Sequence, residues 1–320
     1  MSTATSVRGQ EAASGSSPVS DPTRHVARHG RLTPYLFMLP FAVLFLGFVI
    51  IPAFYGLWIS LHDYNYLLPK QPWVGLRNYT DLFKGNTRDS TDFWHSMRAT
   101  GIFTLLSVPF LVTLPLGIAM LLDKAFPGRA VFRAIFFTPY VLGVAVVGVL
   151  FRYLLDPNIG FVNFYLDKVG IGHAIPWTTQ LPWAWVALVG MTVWWTLGFN
   201  AIIYMAGLQD ISSELYEAAE VDGANAWDKF RNITLPGLRP VLVFVFTLTL
   251  LASANMFGQA FLITKGAPSN ETRTAIMYIS NVGLAQNRQG VAAAMSFILA
   301  LILIGISVIN FRFFRQESDS

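Results

Sequence analysis

The side chains with chemistry to offer are mostly uncharged and stand inside apolar runs. Between residues 182 and 208 lie Thr192, Trp194, Trp195, Thr196, Phe199 and Asn200; between 239 and 264 lie Thr247, Thr249, Ser253, Asn255, Phe257 and Gln259. Polar groups are costly in apolar surroundings and tend to face a bundle interior or a cavity. Thr196 and Asn200 are four residues apart and share a helical face, and the same spacing relates Asn255 to Gln259. Amides and hydroxyls beside aromatic rings suit a neutral, hydroxyl-rich solute, which they can hydrogen-bond and stack upon. Thr196, Phe199, Asn200, Ser253, Asn255 and Gln259 are therefore the candidate pathway residues. The competing reading is interhelical hydrogen bonding, which Ser, Thr, Asn and Gln commonly provide. The centres of these runs carry no charge, so an ion or an amino acid is a poorer fit.

Other chemistries are missing. There is no cysteine, and the five histidines (His25, His29, His62, His95, His173) show no metal-ligand spacing. No G-x-x-x-x-G-K-[ST] loop exists to cradle ATP phosphates, and no Ser/His/Asp set stands out. No catalytic residue, metal or cofactor is expected. With net charge +4 and no basic block, nucleic acid is not an expected partner either.

The elements that must position these residues are membrane-spanning helices. Of 320 residues 54% are apolar, and the mean hydropathy is +0.50. Six apolar stretches, about 34–61, 98–122, 133–155, 182–208, 239–264 and 289–312, meet the roughly 20-residue requirement for crossing a bilayer. Pro40, Pro52, Pro109 and Pro115 fall inside the first two, where neighbouring helices can satisfy the carbonyls they free. Residues 1–33 lack apolar content and read as a disordered tail, followed by an uncleaved first span. Connecting segments 62–97, 156–181 and 265–288 exceed simple turns, and the acids Asp63, Asp81, Asp89 and Asp92 in the first of them read as mostly solvated. The Lys and Arg balance between the two sides is nearly even. The best local signal is the loop from Asp123 to Arg133, whose Lys124, Arg129 and Arg133 place it inside.

One polar island interrupts the apolar pattern. Glu217 to Pro236 reads as two short helices joined at Gly223. Ser213 is the expected N-cap of the first, with Leu215, Ala218 and Ala219 on one face. Gly223 supplies a left-handed helix end, and Asn225 caps the second helix with Asp228 in its first turn. Trp227 and Phe230 lie on one side of that helix, and Pro236 is expected to stop it.

Glu217-Ala218-Ala219, Gly223, Ile233 and Leu235-Pro236, at this spacing, resemble the EAA loop of ATP-binding cassette (ABC) importer permeases. Weaker likenesses, Val74 to Tyr79, Phe136-Phe137-Thr138-Pro139, Asp156-Pro157 and Leu262 to Pro268, are similar to the carbohydrate-importer branch, in the subunit like the maltose system's larger permease. The resemblance covers about residues 34–315. It implies an all-α membrane protein, the type I ABC importer transmembrane domain, with six transmembrane helices, a core of about 95–312 and a cytoplasmic coupling loop at 209–238. It implies a permease, not an enzyme, in a bacterial inner membrane with both termini cytoplasmic. Glu217, Ala218, Ala219, Gly223, Leu235 and Pro236 would dock on a separate ATPase, and the two spans flanking that loop would line a sugar path. Implied partners are ATP-binding ABC subunits, a second homologous permease, an extracytoplasmic solute-binding protein and membrane lipid. The alternatives are a glycerophosphodiester or other polar solute in the same class, or an ion-coupled secondary transporter.

Overall fold

The computed structural model describes residues 33–170 and 175–316, with side chains described for 35–170 and 175–312. The expected tail lies outside these residues, apart from Thr33. The described chain is all-α; its one β feature is an isolated antiparallel bridge between His62 and Trp73. Residues up to Ala53 form one unit and those from Phe54 onward another. Everything that follows, apart from the first helix, concerns the second.

Four helices are long and apolar enough to span a bilayer: α1 (Tyr35–Ser60), α3 (Arg88–Asp123), α7 (Trp183–Gln209) and α12, whose apolar part is Gln289–Arg312. Two more candidates are bent pairs. Helix α4 (Arg129–Val141) meets α5 (Val144–Leu154) at 98°, and α9 (Ala226–Gly237) meets α10 (Arg239–Ala254) at 69°. The count is thus four, or six if each bent pair is one span. Short helices α2 (Arg77–Phe83), α6 (Phe161–Lys168), α8 (Ser213–Val221) and α11 (Ala275–Ala285) complete the order.

Three expected spans change shape. Helix α3 begins ten residues before the expected 98, because Thr87 caps it by accepting from the Ser90 N–H. Its 36 residues reach about 54 Å, well beyond the hydrocarbon thickness. The expected 133–155 span breaks at Leu142–Gly143. The expected 239–264 span ends at Ala254 and resumes as a π turn at Ala260–Thr264.

Three buried clusters hold the second unit together. One joins Phe103, Val147, Trp185, Leu188, Met191, Met256 and Ile263. A second joins Leu116, Leu122, Tyr204, Met205, Leu208, Leu238 and Val245. Both draw on α3, α7 and the α10 region, and the polar stretches of those helices fall between them. The third joins Leu82, Phe93, Tyr278, Val282 and Met295 around α2, α11 and α12. Beside it three of the four acids are paired: Asp89 binds Arg288 through both oxygens, Asp92 meets Arg273 at 3.0 Å, and Asp81 lies near Arg77 and Lys84, while Asp63 is exposed as expected. Glu271 reaches His95 and Arg98. The pairs to Glu271, Arg273 and Arg288 tie the start of α3 to the segment before α12.

Candidate functional site

A cavity of about 400 Å³ opens between the first two clusters. Helix α7 contributes Thr192, Trp195, Thr196, Phe199 and Asn200; α10 contributes Leu248, Thr249, Ala252 and Ser253; Leu111 comes from α3 and Tyr140 from α4. Four of the six candidate pathway residues, Thr196, Phe199, Asn200 and Ser253, therefore meet here.

Asn255 and Gln259 do not line it. They were expected to share one helical face, but α10 ends at Ala254, just before Asn255. Asn255 caps the end of α10, and its Nδ2 donates to the Leu251 carbonyl at 2.8 Å. Phe257 stacks on Phe261 instead, beside a smaller cavity.

Tyr140 is the lining residue that sequence reasoning missed. Its ring stacks on Phe199 with centroids 4.4 Å apart and planes 15° from parallel, and Trp195 lies 6.3 Å away. Its signal was faint: a polar aromatic after Pro139 and shortly before the Leu142–Gly143 break. Close contact of α4 with α7 places it. At Gly198 a Cβ would sit 2.1 Å from the Phe136 carbonyl oxygen, so only glycine admits the α4 backbone this near.

The polar lining is already engaged. Asn200 is buried, and its Nδ2 donates to the Leu111 carbonyl at 3.0 Å. That carbonyl is the one Pro115 cannot serve, since proline four residues later has no N–H. Trp195 Nε1 donates at 2.9 Å to Leu142, whose carbonyl lies at the helix break. Thr192, Thr196 and Thr249 each donate to a carbonyl of their own helix, and Ser107 donates to Ser253 at 3.1 Å. What remains is three threonine oxygens and the Asn200 Oδ1 as acceptors, with the Tyr140 and Ser253 hydroxyls as the donors not yet spent. The lining carries no charged side chain.

The second site is the loop between α7 and α10. Ser212, not Ser213, caps α8, its hydroxyl accepting from the Glu214 N–H at 3.3 Å. Gly223 has φ +77° with open space around a built Cβ, so its constraint is purely backbone conformation. Asn225 and Asp228 form a capping box at the start of α9, and the Trp227 and Phe230 rings lie 5.4 Å apart. Pro236 does not stop that helix. It sits within a continuing turn, where its missing N–H is tolerated, and the chain bends at Leu238.

Two contacts fasten α8 to α9. Lys229 Nζ donates to the Glu220 carboxylate, and Tyr216 shares a hydrogen bond with Thr234 at 2.9 Å. Lys229 holds the Glu220 carboxyl below the usual glutamate range. Glu217 is exposed and makes no hydrogen bond or ion pair with the described residues. Exposed Leu215, Val221 and Trp227 accompany it, and Ala218, Leu235 and Pro236 are also exposed. Ala219 is half-buried. Among the described residues no group of three or more His, Asp or Glu could hold a metal.

Long apolar helices and a polar-lined cavity between crossing helices define a multi-pass membrane transport protein. Residues 100–316 match the family described as "binding-protein-dependent transport system inner membrane component". The chain belongs to that family: it is an ABC importer permease subunit, not an enzyme. It is 32% identical to a probable ABC transporter permease protein, YesP, of Bacillus subtilis, over 89% of this chain and 91% of that one. It is 30% identical to the trehalose/maltose transport system permease protein MalF of Thermococcus litoralis, covering 89% and 94%. Among solved structures it resembles a chain of a bacterial alginate ABC transporter in complex with a pentasaccharide-bound periplasmic protein. That match has a TM-score of 0.78 and 25% identity and covers 90% of this chain and 95% of that one.

Proposed function

We propose that this permease passes a neutral sugar through the Tyr140–Phe199–Asn200–Ser253 cavity. An extracytoplasmic binding protein delivers the sugar, and ATP is hydrolysed by separate ABC subunits. The observation that carries the reading is the lining's hydrogen-bond balance. Most of its donors are spent on backbone carbonyls, so it offers acceptors to the solute. Sugar hydroxyls can donate to them, and Tyr140, Trp195 and Phe199 supply apolar faces for the ring. An anion such as a glycerophosphodiester would find no cation here to offset its phosphate charge. The relatives named for trehalose/maltose and arabinooligosaccharide transport support the class of solute.

In this reading Thr196, Phe199, Asn200 and Ser253 contact or shape the path; Asn255 and Gln259 act at the end of α10, outside the cavity. Glu217, Ala218, Ala219, Gly223, Leu235 and Pro236 form the face that docks on the ATPase, a basic groove meeting the free Glu217. That loop faces the cytoplasm, with both termini on the same side of a bacterial inner membrane. A second homologous permease completes the pathway.

The test is reconstitution of the chain with its ATPase, second permease and binding protein, and ATPase assay against a panel of sugars and glycerophosphodiesters. Stimulation by one sugar-loaded binding protein is the expected result. Stimulation by a phosphodiester alone, or no associated ATPase, would overturn it.

A further inference from the structure

The turn between α3 and α4 carries a cationic group that none of the transport machinery uses. Lys124, Arg129 and Arg133 stand within ten residues, and Asp123 is the only carboxylate among them. Neither arginine is committed to an acid. Arg129 Nη1 donates to the Asp123 carbonyl at 3.1 Å, and Arg133 Nη2 donates to the Leu122 carbonyl at 3.3 Å. Both side chains are thus pinned on the end of α3 by neutral acceptors and keep their full charge. The α3 C-terminus and the α4 N-terminus offset each other and Asp123 removes one charge, which leaves roughly +2 on the turn. Arg133 also has its Nε buried with no hydrogen-bond partner. Lys124 is exposed.

Apolar groups share the same turn. Phe126 and Phe132 are 36% and 48% exposed with ring centroids 5.7 Å apart, and Val131 is 61% exposed. The turn follows directly on an apolar helix that crosses the bilayer, so it sits at the height of the lipid headgroups. Fixed guanidinium groups with spare N–H donors, a free ammonium and exposed aromatic rings at that height match a phosphate headgroup with acyl chains beside it.

We propose that the α3–α4 turn binds an anionic phospholipid, with Lys124, Arg129 and Arg133 on the phosphate and Phe126 and Phe132 against the chains. Bound there, the lipid would brace the end of α3 against α4, the helix that carries Tyr140. Affinity comes from charge, so each cation removed should weaken retention about fivefold.

The full-length chain in its assembled transporter would be placed in nanodiscs of equal phosphatidylglycerol and phosphatidylcholine, extracted gently, and its retained lipids identified by native mass spectrometry. Wild type should retain phosphatidylglycerol over phosphatidylcholine. Lys124→Gln, at an exposed position that leaves packing untouched, should lower that preference about fivefold, and so should Arg129→Gln. Arg129→Lys, which keeps charge but alters the carbonyl contact, should preserve it. Arg88→Gln, the same charge change at the far end of α3, should have no effect. Equal retention of both lipids by wild type, or a preference that survives Lys124→Gln and Arg129→Gln, would overturn the proposal. The readout needs neither sugar nor ATP, so its failure is separate from a failure of the transport reading.

Discussion

Replacing Asn200 with alanine tests how the cavity is built. Its Nδ2 is the donor that the structure gives the Leu111 carbonyl, which Pro115 leaves without its usual helical partner. Removing that amide strands a buried acceptor, at a cost of about 1–3 kcal/mol. Interhelical hydrogen bonds in membranes average nearer ~0.6 kcal/mol, with about 1.7 the upper end, so we expect roughly 1–1.5 kcal/mol for Asn200→Ala. Pro115→Ala supplies an N–H to the same carbonyl. In that background Asn200→Ala should cost far less, with a coupling energy of about 1 kcal/mol in the double-mutant cycle. The assay is the melting of the detergent-solubilised permease complex for all four variants, alongside sugar uptake. If Asn200→Ala leaves melting unchanged in both backgrounds, the bond to Leu111 is not structural. Lost uptake in that case would assign Asn200 to the solute alone.

Other consequences can be checked with single substitutions. Gly198→Ala should force α4 off α7 because the obstruction is backbone, costing at least about 1–3 kcal/mol and most uptake; Gly190→Ala, with nothing within 4 Å, is the matched control expected to melt like wild type. Tyr204 is fully buried with its hydroxyl unpartnered, so Tyr204→Phe should raise the melting temperature, by the equivalent of about 1 kcal/mol; a fall would mean the hydroxyl has a partner. Glu217→Lys should leave insertion and melting intact while abolishing uptake and ATPase association, and normal uptake in that variant would remove the coupling role. The folded pKa of Glu220 is depressed by Lys229, so the α8–α9 clamp contributes fully above the ordinary value of 4.5 and is lost as pH falls through the lower folded value. Protection of the α8 amides, as exchange relative to the intrinsic rate at each pH, should fall over that window, and Glu220→Gln should remove that fall.

What could be read from residues alone was local. Gly223, Asn225 and Asp228 act through their own backbone conformation and hydrogen bonds, so the turn and capping box are visible without a fold. Thr196 and Asn200 meet on one cavity because helical periodicity holds through α7. The same logic failed for Asn255 and Gln259. Nothing between them is a proline, and the break is a tertiary event: Thr274 donates to the Met256 carbonyl at 2.7 Å, satisfying the backbone where the helix opens. The Leu142–Gly143 break was hidden for the same reason, its carbonyl being served by Trp195 from another helix. Tyr140 could not be placed until that break had turned α4 against α7. The acids on α3 looked solvated because their partners, Arg273 and Arg288, lie nearly two hundred residues away.

In the proposed transport cycle the bend at Leu238 matters more than the loop's motif. Helix α10 runs unbroken from Arg239 to Ala254, so a tilt imposed at the bend reaches Thr249 and Ser253 as a rigid displacement about 15–22 Å away. The bend itself is clamped: Leu238 is fully buried beside Tyr204 and Leu208, and a Cβ on Gly207 would meet Val241 at 2.6 Å. A force on α8 and α9 therefore has little room to dissipate before α10 moves. Two polar contacts oppose that movement from the sides, Ser107 to Ser253 at 3.1 Å and Asn310 to Thr247 at 2.6 Å. Both are single hydrogen bonds between neutral groups, each worth on the order of 0.6 kcal/mol in a membrane. Bonds of that size hold one arrangement of packed helices without preventing exchange to another, which is what a two-state rocking mechanism requires of the contacts that line its path.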